Sequence, residues 1–141
     1  MHPSILYDSI AHDPELNAMG ITPSRIKELD SIDKRPFDSG YFIVTRWLDQ
    51  DLHPTINRGP RDLMVWCHMP KDRGRNFLPI ERILERINDI WASVEAQTGT
   101  DGVRVTSVKR RGQSGNLEDE GWKTLARNAT FSVLYDRNTV Q

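Results

Sequence analysis

Between Ile80 and Val94 the apolar residues Ile80, Ile83, Leu84, Ile87, Ile90, Trp91 and Val94 recur every three or four positions. That spacing lays one continuous stripe along an α-helix. Pro79 suits a first turn and Gly99 a C-terminal cap, so the pattern predicts a helix across "LPIERILERINDIWASVEAQTG". Elsewhere the period falls to two. In "GYFIVTRWL", Phe42, Val44 and Leu48 share one face while Tyr41, Ile43, Thr45 and Trp47 share the other. A strand apolar on both sides belongs in the interior of a sheet. "RDLMVWCHMP" predicts a second strand with Leu63, Val65, Cys67 and Met69 together, ended by Pro70. "GVRVTSVKRR" and "WKTLARNATFSVLYDR" predict two more, the last with Ala129, Phe131, Val133 and Tyr135 inward. Ahead of these, "HPSILYDSIAHDPELNAMGI" reads as one or two short helices with Pro3 and Pro14 near the starts and Gly20 as a stop. "TPSRIKELDSI" reads as a short strand, and "LDQDLHPTINRGP" as a long polar loop. Strands gathered around one long helix predict the α+β class: a mostly antiparallel sheet, the helix packed on one face, in a single domain over residues 1–141.

Composition narrows the function more than the fold. A chain of 141 residues buries roughly two-thirds of its unfolded surface in one core. A formal net charge of −1 argues against a general nucleic-acid binder, which carries a basic excess. The one cysteine, Cys67, makes an intramolecular disulfide impossible. "MHPSILYDSI" has no basic region followed by an apolar run, so no signal peptide is expected, and no apolar stretch reaches membrane-spanning length. The expectation is a soluble protein that works or is assembled inside a cell.

The stretch with most chemical promise is "SVKRRGQSGNLEDEGW", residues 107–122. A phosphate-cradling loop needs spaced glycines ending in Gly-Lys-Ser/Thr between a strand and a helix. Here that ending is missing and the next periodic segment is a strand. The reading is a long hairpin with a flexible tip, glycine and serine turning it and charge solvating it. Its basic half (Lys109, Arg110, Arg111) and acidic half (Glu118, Asp119, Glu120) also suit contact between like subunits. No metal or cofactor site is expected. His2, His12, His53 and His68 stand in no metal-binding spacing, and Asp49, Asp51 and His53 in "LDQDLHP" read as a solvated loop. His68 is adjacent to Cys67 on a strand, so the two point to opposite faces and make no nucleophile–base pair. Cys67 shares a face with Leu63, Val65 and Met69, which marks it as a core thiol. No serine has a Gly-x-Ser-x-Gly context. Trp47, Trp66, Trp91 and Trp122 read as packing residues. On the outer helix surface an acidic row, Glu81, Glu85 and Asp89, runs beside Arg82 and Arg86, with Arg82–Glu85 and Arg86–Asp89 pairs expected three apart.

The segments "HPSILYDSI", "GITPSRIKELDSIDKRPFDSGYFIVTRW", "RGPRDLMVWCHMP", "IERILERINDIW" and "VKRRGQSGNLEDEGWKTLARNATFSVLYDR" cover nearly the whole chain. In their order and content the chain resembles the tail terminator proteins of long, non-contractile-tailed bacteriophages, most closely those of phages of mycobacteria and related actinobacteria. The likeness rests on element order, with no catalytic motif. It implies a non-enzymatic virion protein, made in the host cytoplasm, that forms a homo-hexameric ring at the head-proximal end of the tail. The ring would cap the tube of major tail tube protein, stop its growth and present a surface to the neck or stopper protein. Viral DNA would pass through the lumen without sequence-specific binding. On this reading the "KRRGQSGNLEDEG" arm reaches a neighbouring subunit, the lumen or the adjacent ring and orders only in the assembly. Lys109, Arg110 and Arg111 would pair with Glu118, Asp119 and Glu120 of the next subunit. The loop carrying Asp49 and Asp51 would be a second contact with the adjacent ring. The alternatives are a head-closure stopper, a head–tail adaptor, or a small hydrolase using Asp and His.

Overall fold

A computed structural model describes residues 3–28, 35–37, 39–48, 60–71 and 76–136. The architecture is α+β, with a mixed, mostly antiparallel sheet of seven strands and helices on one face. In chain order the strands are β1 (Ile26–Glu28), β2 (Phe42–Leu48), β3 (Arg61–Pro70), β4 (Gln97–Thr98), β5 (Arg104–Gln113), β6 (Leu117–Asp119) and β7 (Thr124–Asp136). They lie in the order β1-β2-β3-β7-β5-β4, with β6 also on β7. Among the described strands only the β1–β2 pair is parallel. As its two apolar sides required, β2 lies inside the sheet, between β1 and β3.

Helix α3 (Leu78–Ser93) presents the predicted stripe, with Ile80, Ile83, Leu84, Ile87, Ile90 and Trp91 buried. They meet Leu63, Val65, Cys67 and Met69 of β3 and Ala129, Phe131 and Val133 of β7 in one core. The predicted C-terminus needs correction. The helix ends at Ser93, and Ala96, not Gly99, takes the left-handed conformation, at φ 66°. Its N–H then donates to Val105 C=O at 2.7 Å, which starts β4. Gly99 serves a different end. A β-carbon there would stand 2.8 Å from Ser4 Oγ and 3.1 Å from Ile5 N, so the chain passes α1 (Ser4–Ala11) too closely for a side chain.

The short helices α1 and α2 (Pro14–Ala18) start at the two prolines as expected. Asp13 caps α2 by accepting from Leu16 N–H at 2.9 Å. Pro3 at the start of α1 supplies no side-chain cap. Asp101 caps the helix from 97 residues away, its carboxylate accepting from Ser4 N–H at 2.8 Å and from Val103 N–H at 3.0 Å. Trp91 ties α1 to α3, donating its indole N–H to Leu6 C=O at 3.0 Å. No helix among the described residues is long and apolar enough to cross a membrane.

Candidate functional site

The stretch that promised chemistry is mostly strand. β5 continues through Lys109, Arg110 and Arg111 to Gln113, and β6 places Leu117, Glu118 and Asp119 against Ala126, Leu125 and Thr124 of β7. The expected flexible tip shrinks to Ser114–Asn116 and a turn over Glu120–Lys123. Polar composition misled the reading because an outer strand hydrogen-bonds on one side only and tolerates solvent on the other. Its glycine sits beside a register shift between Arg110 and Gly112, where the ladder absorbs an extra residue.

Each cation of the basic run finds an acid in its own chain. Lys109 Nζ lies 3.1 Å from Glu95, Arg110 Nη1 2.6 Å from Glu85 on α3, and Arg111 Nη1 3.0 Å from Asp62 on β3. Consecutive strand residues diverge, so Arg110 reaches the helix side and Arg111 the opposite side. Glu95 does more than pair. It accepts from Val108 N–H at 2.9 Å, and that bond, with Lys109 second, holds its carboxyl below the usual range. The acidic run is likewise engaged. Lys71 lies 2.9 Å from Glu120 and 3.6 Å from Glu118, and Asp119 accepts from Trp122 N–H at 2.9 Å. The hydrogen bond to Glu120 is the main reason the Lys71 ammonium titrates above its ordinary range. Asp49, Asp51 and His53 lie outside the described residues.

Helix charges also pair between elements. In place of the Arg82–Glu85 and Arg86–Asp89 pairs, Glu81 meets Arg127 of β7 at 3.3 Å and Glu85 meets Arg110. Arg86 reaches Asp13 at 2.7 Å and Glu15 at 3.5 Å. Asp13 is buried, and its hydrogen bond to Arg86 holds it below the ordinary carboxylate range despite the opposing cost of burial. Between α2 and α3 the outer surface forms a groove of about 350 Å³ lined by Glu15, Met19, Leu78, Arg82 and Asp89, among others.

The sheet face away from α3 is the other candidate surface. Phe42, His68, Trp66 and Trp122 build a second, smaller cluster there. His68 stacks on Phe42 (5.1 Å between centroids, 9° between planes) and touches Trp122 at 4.9 Å. Its Nδ1 shares a hydrogen bond of 2.8 Å with Thr124 Oγ1. Burial pushes the imidazole down to about 4, with the nearby Asp119 charge opposing. Cys67, on the other face, is fully buried and its thiol is pushed far up for the same reason. Both residues are packing groups, one on each side of β3. Past this cluster Met64, Trp66, Asn128, Thr130 and Ser132 are half-buried and Arg46 exposed, with no element over them among the described residues.

Among the described residues no group of His, Cys, Asp or Glu is placed to hold a metal ion. An apolar cleft of about 280 Å³ lies under α1 between Leu6, Ile10, Ile26, Leu63 and Trp91, and could take only a small apolar group. No known family model matches the chain, and no curated protein matches it. The residues that sequence reasoning missed are Asp13, Glu95 and Asp101. Asp13 before Pro14 carried a local capping signal, whereas the partners of Asp101 and Glu95 come from distant or folded-back segments.

Proposed function

We propose that this chain is a structural subunit of a virion: a tail terminator that closes into a six-membered ring on the head-proximal end of the tail tube. There it stops tube growth, offers its far side to the neck or stopper protein, and leaves a lumen through which viral DNA passes. The resemblance over nearly the whole sequence motivates this reading, and the α+β architecture it implies agrees with the fold. The observation that carries it is the unlikeness of the two broad faces. One is a helix layer edged with acids, and the other is a sheet face over which no described element packs. Ring closure needs a heterologous contact between two different surfaces of one subunit, which two unlike faces supply. Catalysis is not part of this reading, since Cys67 and His68 both serve packing.

The test is the tail-length distribution, by negative-stain electron microscopy, of particles made without this protein. The expected result is overlong tails unattached to heads. Tails of normal length beside leaking heads would move the protein to the neck. Intact, infectious particles would remove the structural role.

A further inference from the structure

If subunits close into a ring, some pair of surfaces must meet, and the outer strand β5 is a poor choice. Beyond Arg104 and Val105, where β4 ends, no strand pairs with the outer side of β5 among the described residues. Yet that edge is blunted. Two register shifts bend it, Glu95 occupies the Val108 N–H, and three consecutive cations line it. These are the devices by which sheets refuse another strand. Among the described residues the broad faces carry no such protection.

Register places Lys27, opposite Val44, and Arg46, opposite Met64, on the sheet face away from α3. Both are exposed, and neither forms an ion pair with a described residue, although Lys27 lies 5.8 Å from the Phe37 ring centre. Between and beside them lie the half-buried Met64 and Trp66. The groove on the helix layer is the counterpart. Its exposed leucine, Leu78, is 47% accessible and sits with Met19 among acids. Arg127 and Arg110 already match Glu81 and Glu85, while Asp89 has no ion pair among the described residues and Glu15 has only a 3.5 Å approach to the Arg86 that Asp13 already holds. The helix groove thus leaves Glu15 and Asp89 beside its apolar centre, with Arg82 among them, while the sheet face leaves Lys27 and Arg46 on the β1–β2 side of Met64 and sets Trp66 beside Glu118, Asp119 and Glu120. Arg82, exposed in the same groove, is suited to lie over an indole.

We propose that the helix layer of one copy of this chain docks onto the open sheet face of a second copy, head to tail. Leu78 and Met19 then meet Met64 and Trp66, and Glu15 and Asp89 face Lys27 and Arg46. This rests on the ring reading above and names its interface. Because the two surfaces differ, the contact is heterologous and repeats head to tail, giving a ring where the rotation per subunit completes a turn.

The test uses two full-length variants, Met64→Cys and Leu78→Cys, and a short bismaleimide cross-linker at millimolar subunit concentration. Buried Cys67 stays silent. The expected result is cross-linked dimer only when the two variants are mixed. Dimer from either variant alone would show like faces meeting and overturn the proposal. Absence of dimer in all mixtures, or capture of a different protein when the same reaction is run on tails, would also overturn it. Sedimentation velocity supplies a measurement independent of the cysteines. Arg46→Glu should weaken association at least about tenfold, and adding Asp89→Arg should restore it. Loss without rescue would count against the pairing. Head-to-tail cross-links with normal tail lengths in the absence of the protein would sink the virion assignment and leave the interface standing. Uncontrolled tails with no cross-links would do the reverse.

Discussion

His68 of β3 and Thr124 of β7 meet diagonally across the pairing on the face opposite the long helix, joined by a 2.8 Å hydrogen bond inside a shell of Phe42, Trp66 and Trp122. The shell excludes water from an imidazole that would be half charged near pH 6.5 in an unfolded chain. Its folded value, about 4, is depressed by burial, with Asp119 the nearest opposing charge. Between those two values the unfolded chain binds the extra proton, so stability falls as pH drops through that window. The whole loss is about 3 kcal/mol. Denaturant unfolding of wild type and His68→Gln from pH 7.5 to 4.5 checks this. The wild-type midpoint should slope downward below pH 6.5 while the variant stays nearly level, and parallel curves would exclude His68 as the source.

The Gly99–Ser4 approach makes a second prediction. Alanine at position 99 pushes a methyl group against the Ser4 hydroxyl and the Ile5 backbone. Gly99→Ala should cost about 1–3 kcal/mol, as overpacking does. Asp101→Ala should cost about 1 kcal/mol by uncapping α1. Since both act on one junction, the double variant should lose less than the sum of the two in thermal unfolding.

At Asp13 two roles separate by substitution. Asp13→Asn keeps an acceptor for Leu16 N–H but gives up the charge facing Arg86, whereas Asp13→Ala gives up both. The capping part is worth about 1–2 kcal/mol, so alanine should be the more damaging change by roughly that amount. Equal losses would mean the cap contributes nothing here.

The basic run should be nearly silent in stability. Arg111 pairs from a side chain 59% exposed and Arg110 meets a half-exposed Glu85. Pairs of this kind contribute about 0–1 kcal/mol. A double-mutant cycle on Arg110→Ala and Glu85→Ala should return a coupling below about 1 kcal/mol. A larger coupling would make this contact a structural anchor of α3.

How much of this was legible in the sequence follows the range of each signal. The α3 stripe, the four longer strands and the Cys67 face were readable because periodicity is local, and their burial follows the predicted pattern. The parallel register of β1 and the two-residue β4 were not, since both depend on which neighbour the sheet supplies. The ion pairs were misjudged for the same reason. Helix spacing suggested Arg86–Asp89, but Asp13, 73 residues away, offers a buried carboxylate already fixed as a cap. The sequence could not show that α2 would bring it there. The charged stretch was misread because turn-like composition and an outer strand look alike until the partner strand is known.

The treatment of that outer strand also bears on how copies of the molecule meet. A long unpaired strand invites its own kind to stack without limit, and a chain made in many copies would clump as it accumulates. Glu95 over the Val108 amide and two kinks remove the template. Association is thereby left to surfaces that must match.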